Sequence, residues 1–228
     1  MNFIINTKSI NESNLKRYSK FKFGSKNEIA YFSNKLIKTI ESNHGRNFDD
    51  YVLYTPTRKS KCYVNSNNVL CDLISKKINI RKINGFYDRV NESKNTYDKK
   101  QSIKLRKKSF SLPNIRPKDI SNYQNKKVII VDDSHVTGVS LKYFLEDVKK
   151  LNPKNIFIYF IIDFTKIKHT TEEDLNNFHF KSLKILINYL NNYDYFITTT
   201  LIRRLYKEKD CIDFLDTEIK EAFKEYYL

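Results

Sequence analysis

The architecture of this chain can be worked out from residues 127–141, which read Lys-Val-Ile-Ile-Val-Asp-Asp-Ser-His-Val-Thr-Gly-Val-Ser-Leu. The run 128–131 is entirely β-branched, which is typical of a strand buried on both faces of a parallel sheet. It stops at two carboxylates, Asp132 and Asp133, and a small polar loop follows. The helical spacing of apolar residues then begins at Leu141 and continues to Val148. The stretch therefore predicts a strand, a loop and a helix.

The predicted loop has the composition of a phosphate site. Thr137, Gly138 and Ser140 offer hydroxyls and unhindered backbone beside a helix N-terminus, where the helix dipole favours an anion. Phosphorylated ribose suits both the loop and the acidic pair, because its phosphate can dock in the loop while carboxylates accept hydrogen bonds from its hydroxyls.

Residues 128–140 resemble the signature of type I phosphoribosyltransferases: a hydrophobic strand, two acidic residues, three variable residues, Thr-Gly, one variable residue, and Ser or Thr. The resemblance implies an α/β fold with a doubly wound, mostly parallel sheet and a helical C-terminal hood or cap. It implies that Asp132 and Asp133 are catalytic and face the ribose 2′ and 3′ hydroxyls of phosphoribosyl pyrophosphate. The residues implied for substrate binding in this stretch, of which 135–140 would hold the 5-phosphate, are Ser134, His135, Val136, Thr137, Gly138, Val139 and Ser140.

Other proteins also carry an acidic pair at a strand end. Receiver domains and nucleotide-binding ATPases do so, and a bare Asp pair can simply cap the next helix. The chain has only four glycines and no G-x-x-x-x-G-K-[ST] loop, and a receiver domain would carry its acidic pair near the N-terminus. The phosphoribosyltransferase fold is therefore favoured. Because the acidic pair is placed at an exposed strand end, its replacement by Asn should leave the fold intact.

A second chemical stretch, Thr55-Pro56-Thr57-Arg58-Lys59-Ser60, follows a strand predicted at 50–55. It is similar to the pyrophosphate loop of the family, which implies that Arg58 and Lys59 bind the leaving group. Arg58 could grip phosphate oxygens bidentately. Lys59 departs from the Gly that family members often have, and its side chain opposes a close backbone approach. An ordinary solvated turn is the alternative.

The segment 91–108 is polar and cationic, so it buries little apolar surface and is predicted to be a mobile loop. In the family, a flexible loop at this place closes over the site, and here it could cover pyrophosphate and exclude water. The segment also loosely resembles the ComF-type branch. A solvated linker is the alternative.

The chain is predicted to comprise an N-terminal arm (1–25), an α/β core (26–170) and a helical hood or cap (171–228). Helices are predicted at 172–195 and 210–226, with 196–206 as strand or helix. The aromatic C-terminal helices would either pack into the core or bind a protein partner. A homodimer is left open.

The 228 residues carry a formal charge of +16. A general compositional bias is favoured over an anionic substrate, and nucleic acid is not favoured as a partner. No apolar run is long enough to cross a membrane and no signal peptide is evident, so a cytoplasmic protein is expected. Cys62, Cys71 and Cys211 are predicted to be free thiols, and no protein metal site is indicated.

Two functions remain open. The first is a Mg²⁺-dependent phosphoribosyltransferase that moves ribose 5-phosphate to an unidentified acceptor and releases pyrophosphate, with Mg²⁺ implied by the resemblance. The second is a non-catalytic or repurposed regulator or effector, for example accessory to a mobile or defence system, that senses a nucleotide or phosphoribosyl ligand. The intact acidic pair favours catalysis, whereas Lys59 and the basic charge favour repurposing.

Overall fold

The structure is a computed structural model that describes residues 1–5, 10–58, 64–87, 113–136, 138–165 and 172–207, with positions 217 and 221. These ranges contain six strands: β1 (Asn2–Ile5), β2 (Tyr51–Arg58), β3 (Arg81–Tyr87), β4 (Asn114–Ile115), β5 (Lys127–His135) and β6 (Ile156–Asp163). They contain eight helices: α1 (Glu12–Lys22), α2 (Lys26–His44), α3 (Ser66–Lys77), α4 (Pro117–Tyr123), α5 (Val139–Val148), α6 (Glu172–Asn176), α7 (Leu183–Asn192) and α8 (Thr199–Lys207). The predicted α/β class is confirmed.

The strands form one sheet in the order β1-β6-β5-β2-β3-β4. Every neighbouring pair is parallel except β3 and β4. The chain passes from β2 through α3 to β3 in one direction along the sheet, and from β5 through α5 to β6 in the other. The winding direction therefore reverses between β2 and β5. In open α/β sheets, ligands bind at such a switch point, outside the carboxyl ends of the strands.

Alternate residues of β5 enter different cores, because successive side chains of a strand point to opposite faces. Ile129 and Val131 pack with residues of α1, α2 and α3, whereas Val128 and Ile130 pack with residues of α5. All four side chains are fully buried. The sheet is thus covered on both faces, which is the doubly wound arrangement that the sequence predicts.

The N-terminal residues supply parts of the core. β1 pairs in parallel with β6 along one edge of the sheet. α1 begins at an Asn11 cap, whose side chain accepts a hydrogen bond from the Asn14 amide at 2.9 Å. The helix buries Tyr18 and Phe21 in the cluster on its face of the sheet. Residues 1–25, predicted as an arm, therefore include an edge strand and a core helix.

The C-terminal part is helical, but its elements differ from the prediction. One helix is predicted over 172–195, whereas the structure has α6 and α7 separated by 177–182. Ser182 begins α7 as a new helix, because its hydroxyl accepts a hydrogen bond from the Ile185 amide. The helix predicted at 210–226 lies outside the described residues except for 217 and 221.

The C-terminal helices share a small core of their own. Phe180, Leu186 and Leu201 are buried in it, together with Phe23 from the end of α1. The segment 196–206, predicted as strand or helix, contains most of α8. Across the described ranges, no helix has the length and apolar character needed to cross a membrane.

Candidate functional site

The crevice between β2 and β5 opens where the two strands separate. Their described pairing extends as far as Tyr54 opposite Ile130. Beyond that point β2 continues beside β3 to Arg58, and β5 continues beside β6 to His135. The acidic pair on β5 and the end of β2 therefore flank the switch point of the sheet.

The acidic pair lies within β5, so the prediction that the strand stops before it is wrong. The strand continues because its residues stay in register with β6, as far as His135 opposite Asp163. Consecutive side chains of a strand point to opposite faces. Asp132 therefore lies on the α5 side of the sheet, and Asp133 lies on the side of α1, α2 and α3.

Asp133 is engaged by two protein side chains. Its Oδ2 forms an ion pair with Nζ of Lys22, at the end of α1, and its Oδ1 accepts a hydrogen bond from Ser134 Oγ at 3.1 Å. The side chains of Lys22 and Asp133 are only 14% and 11% exposed. Asp132 is half-buried, and its Oδ1 accepts a hydrogen bond from the Asp133 amide at 2.9 Å. Asp132 is thus the more accessible of the two carboxylates.

Lys22 links the acidic pair to two further parts of the fold. Its carbonyl oxygen accepts hydrogen bonds from Thr198 Oγ1 at 3.1 Å and from Ser66 Oγ at 3.5 Å. Thr198 directly precedes α8, and Ser66 is the first residue of α3. Sequence reasoning missed Lys22, because Lys22 and Asp133 are 111 residues apart and a Lys at a helix end is unremarkable.

The loop after β5 enters α5 through Gly138. This residue is the N-cap, it has a φ of +72°, and it provides no side-chain cap. No acidic residue lies in the first turn of the helix, which includes Val139 and Ser140. Because the first N–H groups of a helix lack partners within it, this N-terminus suits an anion. Val136 precedes the turn and is half-buried, whereas Thr137 lies outside the described residues.

His135, the last residue of β5 before this loop, has specific surroundings. Its Nδ1 lies 3.4 Å from Oδ1 of Asp163, the residue that ends β6. Its ring stacks on Phe160 with a centroid separation of 5.1 Å. The sequence places both His135 and Asp163 near strand ends, but their contact follows from the pairing of β5 with β6.

The described residues include only the first part of the predicted pyrophosphate loop, at the end of β2. Residues 56–58, predicted as loop, belong to β2 because they pair with β3. Arg58 is the last residue of the strand. Its side chain and all of Lys59 lie outside the described residues, as does the segment 91–108. Their roles stay predictions.

Two buried residues of α3 support β5 just before the acidic pair. Asn67 Nδ2 donates a hydrogen bond to the Val131 carbonyl at 3.0 Å, and Cys71 Sγ lies 4.0 Å from the same oxygen. Burial raises the pKa of the Cys71 thiol to about 12, so this thiol is protonated and unsuited to act as a nucleophile. Cys71 is a free thiol, as predicted, whereas Cys62 and Cys211 lie outside the described residues.

Within the described part of the chain, no group of three or more His, Cys, Asp or Glu side chains could hold a metal ion. A depression of about 620 Å³ lies elsewhere and is lined by Asn27 and residues 190–195. It contains none of the predicted site residues. Its lining residues give no reason to choose it as the functional site over the crevice at the switch point.

The phosphoribosyl transferase domain family matches this chain over residues 34–193. A comparison with curated proteins gives no match. Among solved structures, the chain is similar to a hypoxanthine phosphoribosyltransferase from Staphylococcus aureus, at 13% identity and a TM-score of 0.36. That similarity covers 68% of this chain and 66% of the S. aureus chain.

Two further similarities are to a purine phosphoribosyltransferase from Pyrococcus horikoshii Ot3 and a hypoxanthine-guanine phosphoribosyltransferase from Bacillus anthracis. The first has 15% identity and a TM-score of 0.38, over 59% of this chain and 81% of that one. The second has 17% identity and a TM-score of 0.38, over 72% of this chain and 78% of that one. Superpositions this loose give no information about the substrate of this chain. The similarity to the ComF-type branch is not shown by any of these comparisons. The domain match covers more than half of the chain and supports the prediction of a transferase, so the chain belongs to the phosphoribosyl transferase domain family.

Proposed function

We propose that this protein binds phosphoribosyl pyrophosphate in the crevice between β2 and β5 and transfers ribose 5-phosphate to an acceptor, releasing pyrophosphate. One observation carries the proposal: the acidic pair, the Gly138 N-cap of α5 and the end of β2 all lie at the carboxyl edge of the sheet, at its switch point. Membership of the family supports it.

In this proposal, residues 134–140, which run from the end of β5 into the first turn of α5, hold the 5-phosphate through backbone N–H groups and the hydroxyls of Thr137 and Ser140. Asp132, the more accessible carboxylate, accepts hydrogen bonds from the ribose hydroxyls. Asp133 is the second catalytic carboxylate, and Lys22 fixes its position. Arg58 and Lys59 bind the pyrophosphate.

The reaction is a displacement at C1 of the ribose. The bond from C1 to a pyrophosphate oxygen breaks, and a bond from C1 to the acceptor forms, so positive charge develops on the sugar and negative charge on the leaving group. The carboxylates stabilise the first charge, and the cations near the end of β2 stabilise the second. Most of the protein's contribution is positioning, because the ribose is fixed at its phosphate and at its hydroxyls.

The donor set is compatible with Mg²⁺. This ion is usually bound by one or two carboxylates together with substrate phosphates, and not by a cage of protein ligands. Asp132 can serve as such a carboxylate, and the described residues offer no cage. When bound, Mg²⁺ would neutralise charge on the leaving pyrophosphate. The remaining steps rest on the residues of the chain.

A second function is favoured by the contacts of Asp133. One of the two family carboxylates is already occupied by Lys22 and Ser134, which suits a protein that holds a phosphoribosyl or nucleotide ligand without turning it over. Such a regulator or effector could present the C-terminal helices to a protein partner. In both cases we propose a cytoplasmic protein, which could form a homodimer.

Ligand binding and pyrophosphate release, measured together, distinguish the two functions. Thermal unfolding is followed with phosphoribosyl pyrophosphate, ribose 5-phosphate, pyrophosphate and nucleotides, with and without Mg²⁺. A ligand at a hundred times its Kd should stabilise the protein by about 2.7 kcal/mol. Pyrophosphate release is then measured with a panel of bases, and Asp132→Asn serves as the site variant.

Binding of phosphoribosyl pyrophosphate with Mg²⁺-dependent pyrophosphate release supports the enzyme. Binding without release for any base supports the regulator. If wild type and Asp132→Asn are equally unaffected by every ligand, the crevice is not a phosphoribosyl site and both functions are overturned.

A further inference from the structure

His135 lies between a carboxylate and the phosphate loop, and its ring is fixed on both sides. Nδ1 is 3.4 Å from Asp163 Oδ1, which also accepts hydrogen bonds from the amide and hydroxyl of Thr165, at 3.0 and 2.7 Å. The ring stacks on Phe160, and Phe3 of β1 lies beside it with a centroid separation of 6.2 Å. These contacts hold the imidazole in one orientation.

The surroundings of Nδ1 determine which ring nitrogen carries the proton. Nδ1 is buried, and in the described part of the chain it forms no hydrogen bond. A lone pair on Nδ1 would point toward the negative charge of Asp163, which is unfavourable, so the proton of the neutral ring lies on Nδ1. Nε2 is then the nitrogen that can gain or lose a proton.

Nε2 lies at the N-terminus of α5. It is 3.5 Å from the point that a Cβ atom on Gly138 would occupy, and Gly138 is the N-cap of that helix. The helix end carries a partial positive charge of about half an elementary charge. With no anion present, this charge opposes a second proton on His135, whereas Asp163 favours it.

We infer that His135 takes up a proton when a phosphate group binds at the N-terminus of α5, and that it then donates a hydrogen bond from Nε2 to a phosphate oxygen. The phosphate reverses the local charge, because a phosphate monoester carries a charge of about −1.5 to −2 at neutral pH. Asp163 stabilises the imidazolium from the other side of the ring. The inference rests on the proposed function, and it makes His135 and Asp163 a proton-linked part of the phosphate site.

Proton uptake on phosphate binding is not explained by the other charged groups that are described on the surrounding elements. On β5, Asp133 is paired with Lys22, and Asp132 belongs to a class of side chain that ordinarily titrates well below neutral pH. On β6 the nearby group is Asp163 itself, and β1 carries no titratable side chain. Lys142 in the first turn of α5 is exposed. Among the described side chains of these elements, only the imidazole has an ordinary pKa in the neutral range.

The experiment is calorimetric titration with ribose 5-phosphate, between about pH 5 and about pH 8. Each pH is measured in two buffers with different ionisation enthalpies, which gives the number of protons taken up. His135→Gln keeps a hydrogen-bonding side chain that cannot become charged. His44→Gln is the matched control, because His44 ends α2 and contacts Tyr51 and Phe157 at the opposite, amino end of the sheet.

We expect wild type and His44→Gln to take up more protons on binding than His135→Gln does. Any protons that the ligand itself takes up are common to all variants and cancel in this comparison. Their affinity relative to His135→Gln should fall as pH rises, by at most about tenfold per pH unit for one linked proton. Asp163→Asn should also reduce the proton uptake. In wild type, the NMR titration of the His135 ring should shift to higher pH when ribose 5-phosphate is added, which tests the inference even if His135→Gln does not fold.

Equal proton uptake and equal pH dependence in wild type and His135→Gln, or an unshifted ring titration, would overturn this inference and leave the proposed function standing. If wild type binds no ribose 5-phosphate at any pH, the proposed phosphate site fails and the inference fails with it.

Discussion

Breaking the contact between Lys22 and Asp133 should destabilise the protein more than an ordinary ion pair would. Both side chains are largely buried, and they form an ion pair with each other. Removing Lys22 leaves a buried carboxylate with only the hydroxyl of Ser134 as its other described partner. Removing the charge of Asp133 takes this ion-pair partner away from the largely buried ammonium group of Lys22. Because of this contact, we expect Asn in place of both motif carboxylates to lower stability, which the sequence alone did not suggest.

The magnitude follows from the burial. Truncating one partner of a buried pair typically costs about 3–5 kcal/mol, and the residual exposure of 14% and 11% places this pair at the lower end. We expect Lys22→Met and Asp133→Asn each to lower the free energy of unfolding by about 3 kcal/mol. The double variant should cost less than the sum of the two single variants, because the second change removes the charge whose partner the first change removed. The coupling energy should then be about 2–3 kcal/mol.

Urea unfolding of the four proteins gives this coupling energy directly. Lys16 and Glu12 supply the control cycle, because they form an ion pair on the same helix but their side chains are 48% and 68% exposed. Lys16→Met with Glu12→Gln should show little or no coupling, because solvent screens an exposed pair. If the coupling between Lys22 and Asp133 is no larger than that of the control, the reasoning from burial is refuted.

Three further outcomes follow from buried groups elsewhere. Gly85→Ala should lower the free energy of unfolding by about 1–3 kcal/mol in urea unfolding, because its Cβ would lie 2.0 Å from the Tyr54 hydroxyl. Burial lowers the pKa of His44, so the unfolded chain binds more protons as pH falls through the ordinary histidine range. Stability should therefore fall as pH is lowered through that range, and the urea midpoint should fall less for His44→Gln than for wild type. Cys71, fully buried, should react with iodoacetamide only after unfolding, as judged by mass spectrometry.

The sequence predicted the parts of the fold that local patterns determine. The run 128–131 predicted β5, and the helical spacing from Leu141 predicted α5. A strand buried on both faces shows an unbroken apolar run, whereas a helix buried on one face shows apolar residues three and four positions apart. Ser25 followed by Glu28 is a capping-box pattern that predicts a helix start, and in the structure the Ser25 hydroxyl caps α2 by accepting a hydrogen bond from the Glu28 amide.

The parts that were missed depend on contacts between distant residues. Register with β6 carries β5 past the acidic pair, and no local pattern reveals how far a neighbouring strand extends. The ion pair with Lys22 arises because α1 packs on the face toward which Asp133 points. A motif gives the order of its residues, but not the face of the sheet to which each carboxylate is directed.

Gly138 allows the phosphate site to be tested separately from backbone strain. From the sequence alone, Gly138→Val should weaken binding of ribose 5-phosphate and phosphoribosyl pyrophosphate alike, because a side chain would intrude on the phosphate. The φ of +72° adds a second effect, since a β-branched residue in the left-handed region is strained by about 1–2 kcal/mol. Gly138→Asn separates the two effects, because Asn tolerates this region while still placing a side chain beside the phosphate.

We therefore expect Gly138→Asn to keep its urea midpoint near that of wild type and to lose affinity for both ligands equally in calorimetry, whereas Gly138→Val should lose stability and affinity together. Asn152 provides the control, because it occupies the left-handed region after α5, with φ 47° and ψ 57°. Asn152→Gly should leave both affinities unchanged. Loss of phosphoribosyl pyrophosphate binding alone would place the loop at the pyrophosphate, since the 5-phosphate is the only phosphate that the two ligands share. Wild-type affinity of Gly138→Asn for both ligands would exclude a phosphate from this loop.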